Sequence, residues 1–156
     1  MQSTQTSTLP HWDMTPVYPS LQSAEFQADF RRLAEMVEAV EIFLRDHAAG
    51  LGPDSPTDDL AAMAGELVDR YNDLAVLGMT LRSYLTGYTS VDSFDAEARR
   101  LESLFHVLVA RIDSLQTSFR AWCGRITGRL TEIIPLNASA SAHAFALQEA
   151  AEHSKY

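Results

Sequence analysis

Apolar residues recur every three or four positions along three long segments of this 156-residue chain. This spacing places them on one face of an α-helix, whereas a β-strand would require an alternation that no segment shows. Turn residues at 50–56, which include two glycines and two prolines, separate the first two segments. The sequence therefore predicts an all-α fold, an antiparallel bundle of three long helices followed by short C-terminal helices.

Each segment also carries signals for the start of a helix. Ser23 can cap the first helix, and Thr57, followed by two aspartates that complement the helix dipole, marks the start of the second. Asp92 or Ser93 is predicted to cap the third, whose apolar stripe begins at Phe94. The predicted helices span about 23–49, 58–88, 94–123 and 127–134, within a helical domain at 23–134. A further helix starts within 138–156 and has no stop signal, as expected of a truncated coding sequence.

The N-terminal residues 1–22 are expected to differ from the rest. Residues 9–20 contain three prolines, which fix φ and lack an N–H donor, so they predict an extended strap lying on the helices. Trp12, Val17 and Tyr18 are its expected apolar anchors, because large apolar side chains are seldom left fully in water. An alternative is that the PxxP peptide at 16–19 docks in an aromatic groove of a partner, although no basic residue lies nearby.

The third segment supplies the other predicted structural anchors. These are the large apolar residues Phe105, Leu108, Phe119 and Trp122. Stripes of this kind more often form a bundle core than a cofactor site. Gly78 lies on the second stripe at a cost of about 1 kcal/mol relative to alanine, so a close helix crossing that needs a small residue is expected there.

Charge and composition exclude several classes of function. A net charge of −9 argues against nucleic-acid binding, which depends on Lys and Arg neutralising phosphates. No run of 18 apolar residues predicts a membrane span, and the polar N-terminus does not resemble a signal peptide. The single cysteine, Cys123, cannot form an internal disulfide and fits a reducing compartment. The sequence therefore predicts a cytoplasmic protein with neither nucleic-acid nor membrane partners.

The sequence offers few groups for catalysis. No histidine has a second one three or four positions away, so the zinc motif His-Glu-x-x-His is absent; the five are His11, His47, His106, His143 and His153. Two pairs, Glu102 with His106 and Glu149 with His153, have the i,i+4 spacing that could supply two metal ligands each, but a solvent-facing pair is preferred. Cys123 is expected to be a buried thiol. We therefore predict no catalytic, cofactor-binding or metal-binding residue in this chain.

The strap and the following helix carry a family resemblance. Trp12-Asp13, followed by Tyr18-Pro19 and a long amphipathic helix, is similar to the N-terminus of oligoendopeptidase F-like zinc metallopeptidases, relatives of thimet oligopeptidase. Weaker similarities occur at 83–85, 90–93, 119–124 and 143–147. None of these positions is catalytic in such enzymes, so the resemblance concerns the scaffold.

The resemblance implies a non-catalytic N-terminal domain that shapes the substrate cleft of a zinc endopeptidase acting on short peptides. Its partner would be the C-terminal catalytic region of the parent chain, which would carry the zinc and the His-Glu-x-x-His motif. The alternative is a free-standing helical module that binds another protein, and a third possibility is a metal-binding bundle in which the Glu–His pairs converge. A fragment is expected to leave Phe145 and Leu147 lacking part of their packing, whereas a complete module would pack them.

Overall fold

A computed structural model describes residues 13–91 and 93–154, and all regular secondary structure in these ranges is helical. The prediction of an all-α fold is therefore confirmed. The α-helices are α1 (Ala24–Phe43), α2 (Thr57–Val91), α3 (Ala96–Arg125), α4 (Leu130–Ile133), α5 (Ala138–Ala142) and α6 (Ala144–His153). A π-helical turn, Leu44–Ala48, continues α1, and 3-10 turns occur at Thr127–Arg129 and Ile134–Leu136.

One apolar core joins the helices. Helices α1, α2 and α3 contact one another, α5 packs on α2, and α6 packs on α3. Among the described residues no polar or charged side chain is buried, whereas all three predicted stripes contribute buried residues. The largest fully buried side chains include Phe26, Leu33, Leu67, Leu81, Leu101 and Trp122.

The start of α1 follows the sequence signal. Ser23 has extended backbone angles, and its hydroxyl accepts a hydrogen bond of 3.2 Å from the amide of Phe26, so the predicted cap is confirmed. The π-helical turn at the other end was not predicted. It keeps Leu44 and Ala48 in the core, where the stripe of α1 continues.

The start of α3 differs from the prediction. Asp95 caps the helix, and its Oδ1 accepts hydrogen bonds of 2.9 Å from the amides of Glu97 and Ala98. Ser93 therefore is not the cap, and Asp92 lies outside the described residues. Phe94 precedes the helix and is 85% exposed, so its assignment to the buried stripe is wrong. The physical reason is that one carboxylate at 95 satisfies two amides of the first turn.

The prediction for Gly78 is also wrong. A Cβ atom added there would have as its nearest neighbour Cδ1 of Leu33 at 4.0 Å, an ordinary van der Waals distance. The close approaches occur at three other glycines: Gly65 against the side chain of Asn137, Gly87 against that of Met14, and Gly124 against that of Ser154. Helical periodicity does not reveal which face a neighbouring segment crosses.

The strap is folded into turns where it can be described. The amides of Val17 and Tyr18 both donate to the carbonyl oxygen of Met14, at 3.0 and 3.4 Å. Residues 14–18 are therefore not extended, contrary to the prediction. Tyr18 is buried, but Val17 is 53% exposed and is not an anchor. Trp12 lies outside the described residues.

Candidate functional site

Tyr18 fixes the strap to both α1 and α2. Its hydroxyl donates a hydrogen bond of 2.7 Å to Oδ2 of Asp29 on α1. The hydroxyl of Tyr84 on α2 donates one of 2.8 Å to the carbonyl oxygen of Tyr18. The Tyr18 ring also packs edge-on against Phe26 and Tyr84, with centroid distances of 5.4 and 5.0 Å. We call this group of residues the strap junction.

The hydroxyls of the strap junction stay protonated at neutral pH. Burial raises the pKa of Tyr18, and its hydrogen bond to Asp29 raises it further. Burial also raises the pKa of Tyr84, with a smaller contribution from the hydroxyl of Tyr88. Both groups therefore remain donors, and the junction holds its hydrogen bonds across the neutral range.

The predicted anchors of α3 lie along the length of the core. Phe105, Leu108 and Trp122 are buried. Phe119 is half-buried, and its ring centroid lies 5.0 Å from that of Tyr71 on α2. These four residues therefore have packing roles in the described structure.

Cys123 is a buried free thiol, as the sequence predicted. Its surroundings raise the pKa of the thiol to about 12, because burial disfavours the charged thiolate. The thiolate is the nucleophilic form of cysteine, so this residue has the properties of a core side chain.

The histidines in the described ranges do not assemble with other ligands. Nε2 of His153 lies 3.7 Å from Oε1 of Glu149, and both side chains are exposed. His143 is hydrogen-bonded to Asn72 at 3.0 Å, and the ring of His47 packs on Phe43. No group of three or more His, Cys, Asp or Glu residues in residues 13–91 and 93–154 could hold a metal ion.

The described residues form several surface grooves, and two of them lie beside the end of α1 and beside the strap. The first, the α1–α3 groove, has a volume of about 660 Å³ and lies between the end of α1 with its π-helical turn and the second half of α3. The second, the strap groove, has a volume of about 370 Å³ and is lined by Met14, Val17, Met79, Thr80, Ser83 and Tyr84. Neither groove was predicted, because each is formed by segments far apart in sequence.

Within residues 13–91 and 93–154, three buried polar atoms have no hydrogen-bond partner: Nε of Arg70, the hydroxyl oxygen of Tyr71 and Nε1 of Trp122. Arg70 is otherwise engaged, since its guanidinium lies 4.3 Å from the Phe43 ring centroid and Nη2 lies 2.7 Å from Oε1 of Glu66. Trp122 is one of the residues that line the α1–α3 groove, and its indole N–H is buried without a partner.

Comparisons with protein-family models, curated proteins and solved structures found no match to this chain. In the part of the chain that the structure describes, no helix is both long and apolar enough to cross a membrane.

Proposed function

We propose that this chain is the N-terminal, non-catalytic domain of a cytoplasmic oligoendopeptidase F-like zinc metalloendopeptidase, in which it shapes the cleft for short peptides. The observation that carries the proposal is the strap junction. Tyr18 belongs to the segment on which the family resemblance rests, and it is buried with hydrogen bonds to α1 and from α2. This supports a structural role for the residues that carry the resemblance.

The arrangement of the long helices also supports the proposal. Phe26 near the start of α1 packs on Tyr84 near the end of α2, with ring centroids 5.4 Å apart. Tyr71 in the first half of α2 packs on Phe119 near the end of α3. Such pairs favour the antiparallel three-helix bundle, which would give a wall domain a rigid face.

Exposed apolar side chains support a packing partner. Val76 and Met79 on α2 are each 69% exposed, and Phe145 on α6 is 76% exposed. Leu147, by contrast, is fully buried against this chain. Exposed large apolar side chains are common at interfaces, and the proposal assigns these to contacts with the C-terminal catalytic region of the parent chain.

The proposal assigns zinc and peptide hydrolysis to that catalytic region. Among the described residues the donor set does not fit a zinc site, because Glu149 and His153 offer two exposed ligands and a catalytic zinc takes three from the protein. No catalytic step is therefore assigned to residues of this chain.

The second candidate is a free-standing helical module that binds another protein. The exposed Val76 and Met79 support this candidate as well as the first one. They lie on α2, where Met79 lines the strap groove, and could contact a separate partner protein. The two candidates differ in whether the partner is encoded in the same reading frame.

The first test is to sequence the coding DNA beyond the Tyr156 codon. An in-frame His-Glu-x-x-His motif is the expected result, and a stop codon directly after Tyr156 would overturn the proposal in favour of the interaction module. The second test uses the full-length enzyme with Val76→Ser and Met79→Ser, and measures kcat/KM on fluorogenic peptides of different lengths. We expect the dependence on peptide length to change, whereas the matched control Val107→Ser, at an exposed apolar residue of α3, should leave it unaltered.

A further inference from the structure

Met14 fastens the strap to the second half of α2. Its Sδ and Cε atoms lie over Gly87, in the space that a Cβ atom at that position would occupy. The carbonyl oxygen of Met14 also accepts hydrogen bonds from the amides of Val17 and Tyr18, at 3.0 and 3.4 Å, so Met14 begins the turn that leads to the strap junction. We call the contact between Met14 and Gly87 the strap latch.

The strap latch depends on an apolar, flexible side chain at position 14. Gly87 allows the thioether to approach the helix backbone closely, because glycine has no Cβ atom. Methionine fills such irregular gaps well, since it is unbranched and its sulfur is polarisable. The Met14 side chain packs against the edge of the core as an apolar group. The latch therefore holds the strap by packing.

The Met14 side chain is also accessible from the solvent. Met14 is half-buried and lines the strap groove, a surface groove of about 370 Å³ that a molecule as small as a peroxide can enter. Met63 is only 4% exposed and lies in the core, whereas Met79 is 69% exposed on the surface of α2. Met14 therefore combines a packing role with access for a small oxidant.

We propose that Met14 is an oxidation site, and that its conversion to methionine sulfoxide by a peroxide opens the strap latch. A lone pair of Sδ attacks one oxygen of hydrogen peroxide, the O–O bond breaks and an S–O bond forms. The proton of the transferred hydroxyl passes to the departing hydroxide, which leaves as water. The sulfur is thereby oxidised by two electrons, and the peroxide is reduced. The inference does not rest on the proposed function, because the strap and α2 belong to this chain.

The sulfoxide does not fit the closed latch. Its oxygen is a polar acceptor held against the backbone of α2, and burying such a group without a donor is unfavourable. Two hydroxyls that line the strap groove already donate, that of Thr80 to a carbonyl oxygen of its own helix at 2.9 Å and that of Tyr84 to Tyr18 at 2.8 Å. Ser83 is exposed, so exchanging water for the sulfoxide gains little. Oxidised Met14 therefore leaves α2, while the hydrogen bonds of the strap junction remain.

Hydrogen exchange measured by mass spectrometry, before and after treatment with hydrogen peroxide, tests the proposal on the full chain. Peptides covering 13–22 report on the amides of Val17 and Tyr18, and the same spectra show which methionines have gained an oxygen. We expect Met14 to be oxidised faster than the buried Met63, and the strap amides then to exchange at least about tenfold faster. Oxidation of Met14 no faster than that of Met63, or strap exchange that oxidation leaves unchanged, would overturn the proposal.

Three variants locate the effect. Met14→Leu keeps an apolar side chain of similar volume but has no sulfur, so the strap amides should still exchange slowly after peroxide. Met79→Leu is the matched control at an exposed residue that lines the same groove, and it should leave the peroxide response intact. Gly87→Ala places a methyl group where Met14 lies, so it should speed strap exchange without peroxide. A response that persists in Met14→Leu or is lost in Met79→Leu, or slow exchange in Gly87→Ala, would contradict the proposed latch.

Discussion

The hydroxyl of Tyr84 donates a hydrogen bond of 2.8 Å to the backbone carbonyl oxygen of Tyr18, a residue 66 positions earlier in the chain. This bond joins the strap to α2, while the Tyr18 hydroxyl joins the same strap to Asp29 on α1. The bond from Tyr84 is buried, so it has little competition from water, whereas the bond to Asp29 is partly buried. Tyr18 therefore fixes the described part of the strap to the core.

Tyr84→Phe should lower the free energy of unfolding by about 1–3 kcal/mol, because it leaves a buried carbonyl oxygen without a donor. Tyr88→Phe is the matched control, since its hydroxyl lies 3.3 Å from that of Tyr84 and its ring is half-buried. Urea denaturation followed by circular dichroism measures the free energy of unfolding of both variants. An equal loss in the two variants would mean that the bond to Tyr18 is not important for stability.

Leu108→Ala should lower the free energy of unfolding by about 2–5 kcal/mol, because Leu108 is buried near the middle of α3 and the substitution leaves a cavity. Leu104→Ala, one helical turn away at a side chain that is 45% exposed, should cost about 0.5 kcal/mol or less. Denaturation midpoints compare the two variants. An unchanged midpoint for Leu108→Ala would contradict the assignment of this face of α3 to the core.

Replacing either of two glycines of α2 by alanine should change the stability of the protein, but in opposite directions. Gly78→Ala should stabilise the protein by up to about 1 kcal/mol, because it improves helix propensity and meets only Cδ1 of Leu33 at 4.0 Å. Gly65→Ala should destabilise it, because the new methyl group displaces Asn137, whose side chain caps α5. Thermal unfolding of the two variants shows whether each substitution raises or lowers the Tm. A gain in stability for Gly65→Ala would show that the packing of α5 on α2 is loose.

The Cys123 thiol should react slowly with a disulfide reagent at pH 8 in the native protein and rapidly in denaturant. Burial raises its pKa from 9.0 to about 12, so the native thiol is protonated and shielded. A raised pKa contributes stability below pH 9 that is lost as the pH rises toward 12. Cys123→Ser should therefore reduce the fall in the free energy of unfolding as the pH rises above 9. Rapid labelling without denaturant would contradict this burial.

The pair between Glu41 and Arg111 should make stability sensitive to acid. Its hydrogen bonds hold the pKa of the Glu41 carboxyl below its ordinary value of 4.5. A lowered pKa contributes stability above pH 4.5 that is lost as the pH falls through the native value. Glu41→Gln should remove this contribution, whereas Glu35→Gln, at an exposed position of the same helix, serves as the control. Identical acid profiles for the two variants would show that the pair is not coupled to folding.

Local signals predicted the features that depend on neighbouring residues in the chain. Ser23 lies next to the amides that it caps, so the start of α1 could be inferred from sequence. Asp95 was missed because Asp92 and Ser93 offer the same chemistry a few positions earlier, and only the backbone path decides which oxygen reaches the first turn. Gly65 was missed because Asn137, which packs on it, is 72 positions away in sequence.

The sequence by itself determined the all-α class, the approximate extent of the three long helices and the burial of Tyr18 and Cys123. These follow from the spacing and size of apolar side chains, which local geometry converts into a helix with one buried face. The tertiary structure alone decided that Arg45 and Arg125 share one groove with Trp122, and that Arg111 compensates Glu41 beside it. Periodicity shows which face of a helix is buried, but the segments that meet there are fixed by the packing of the whole chain.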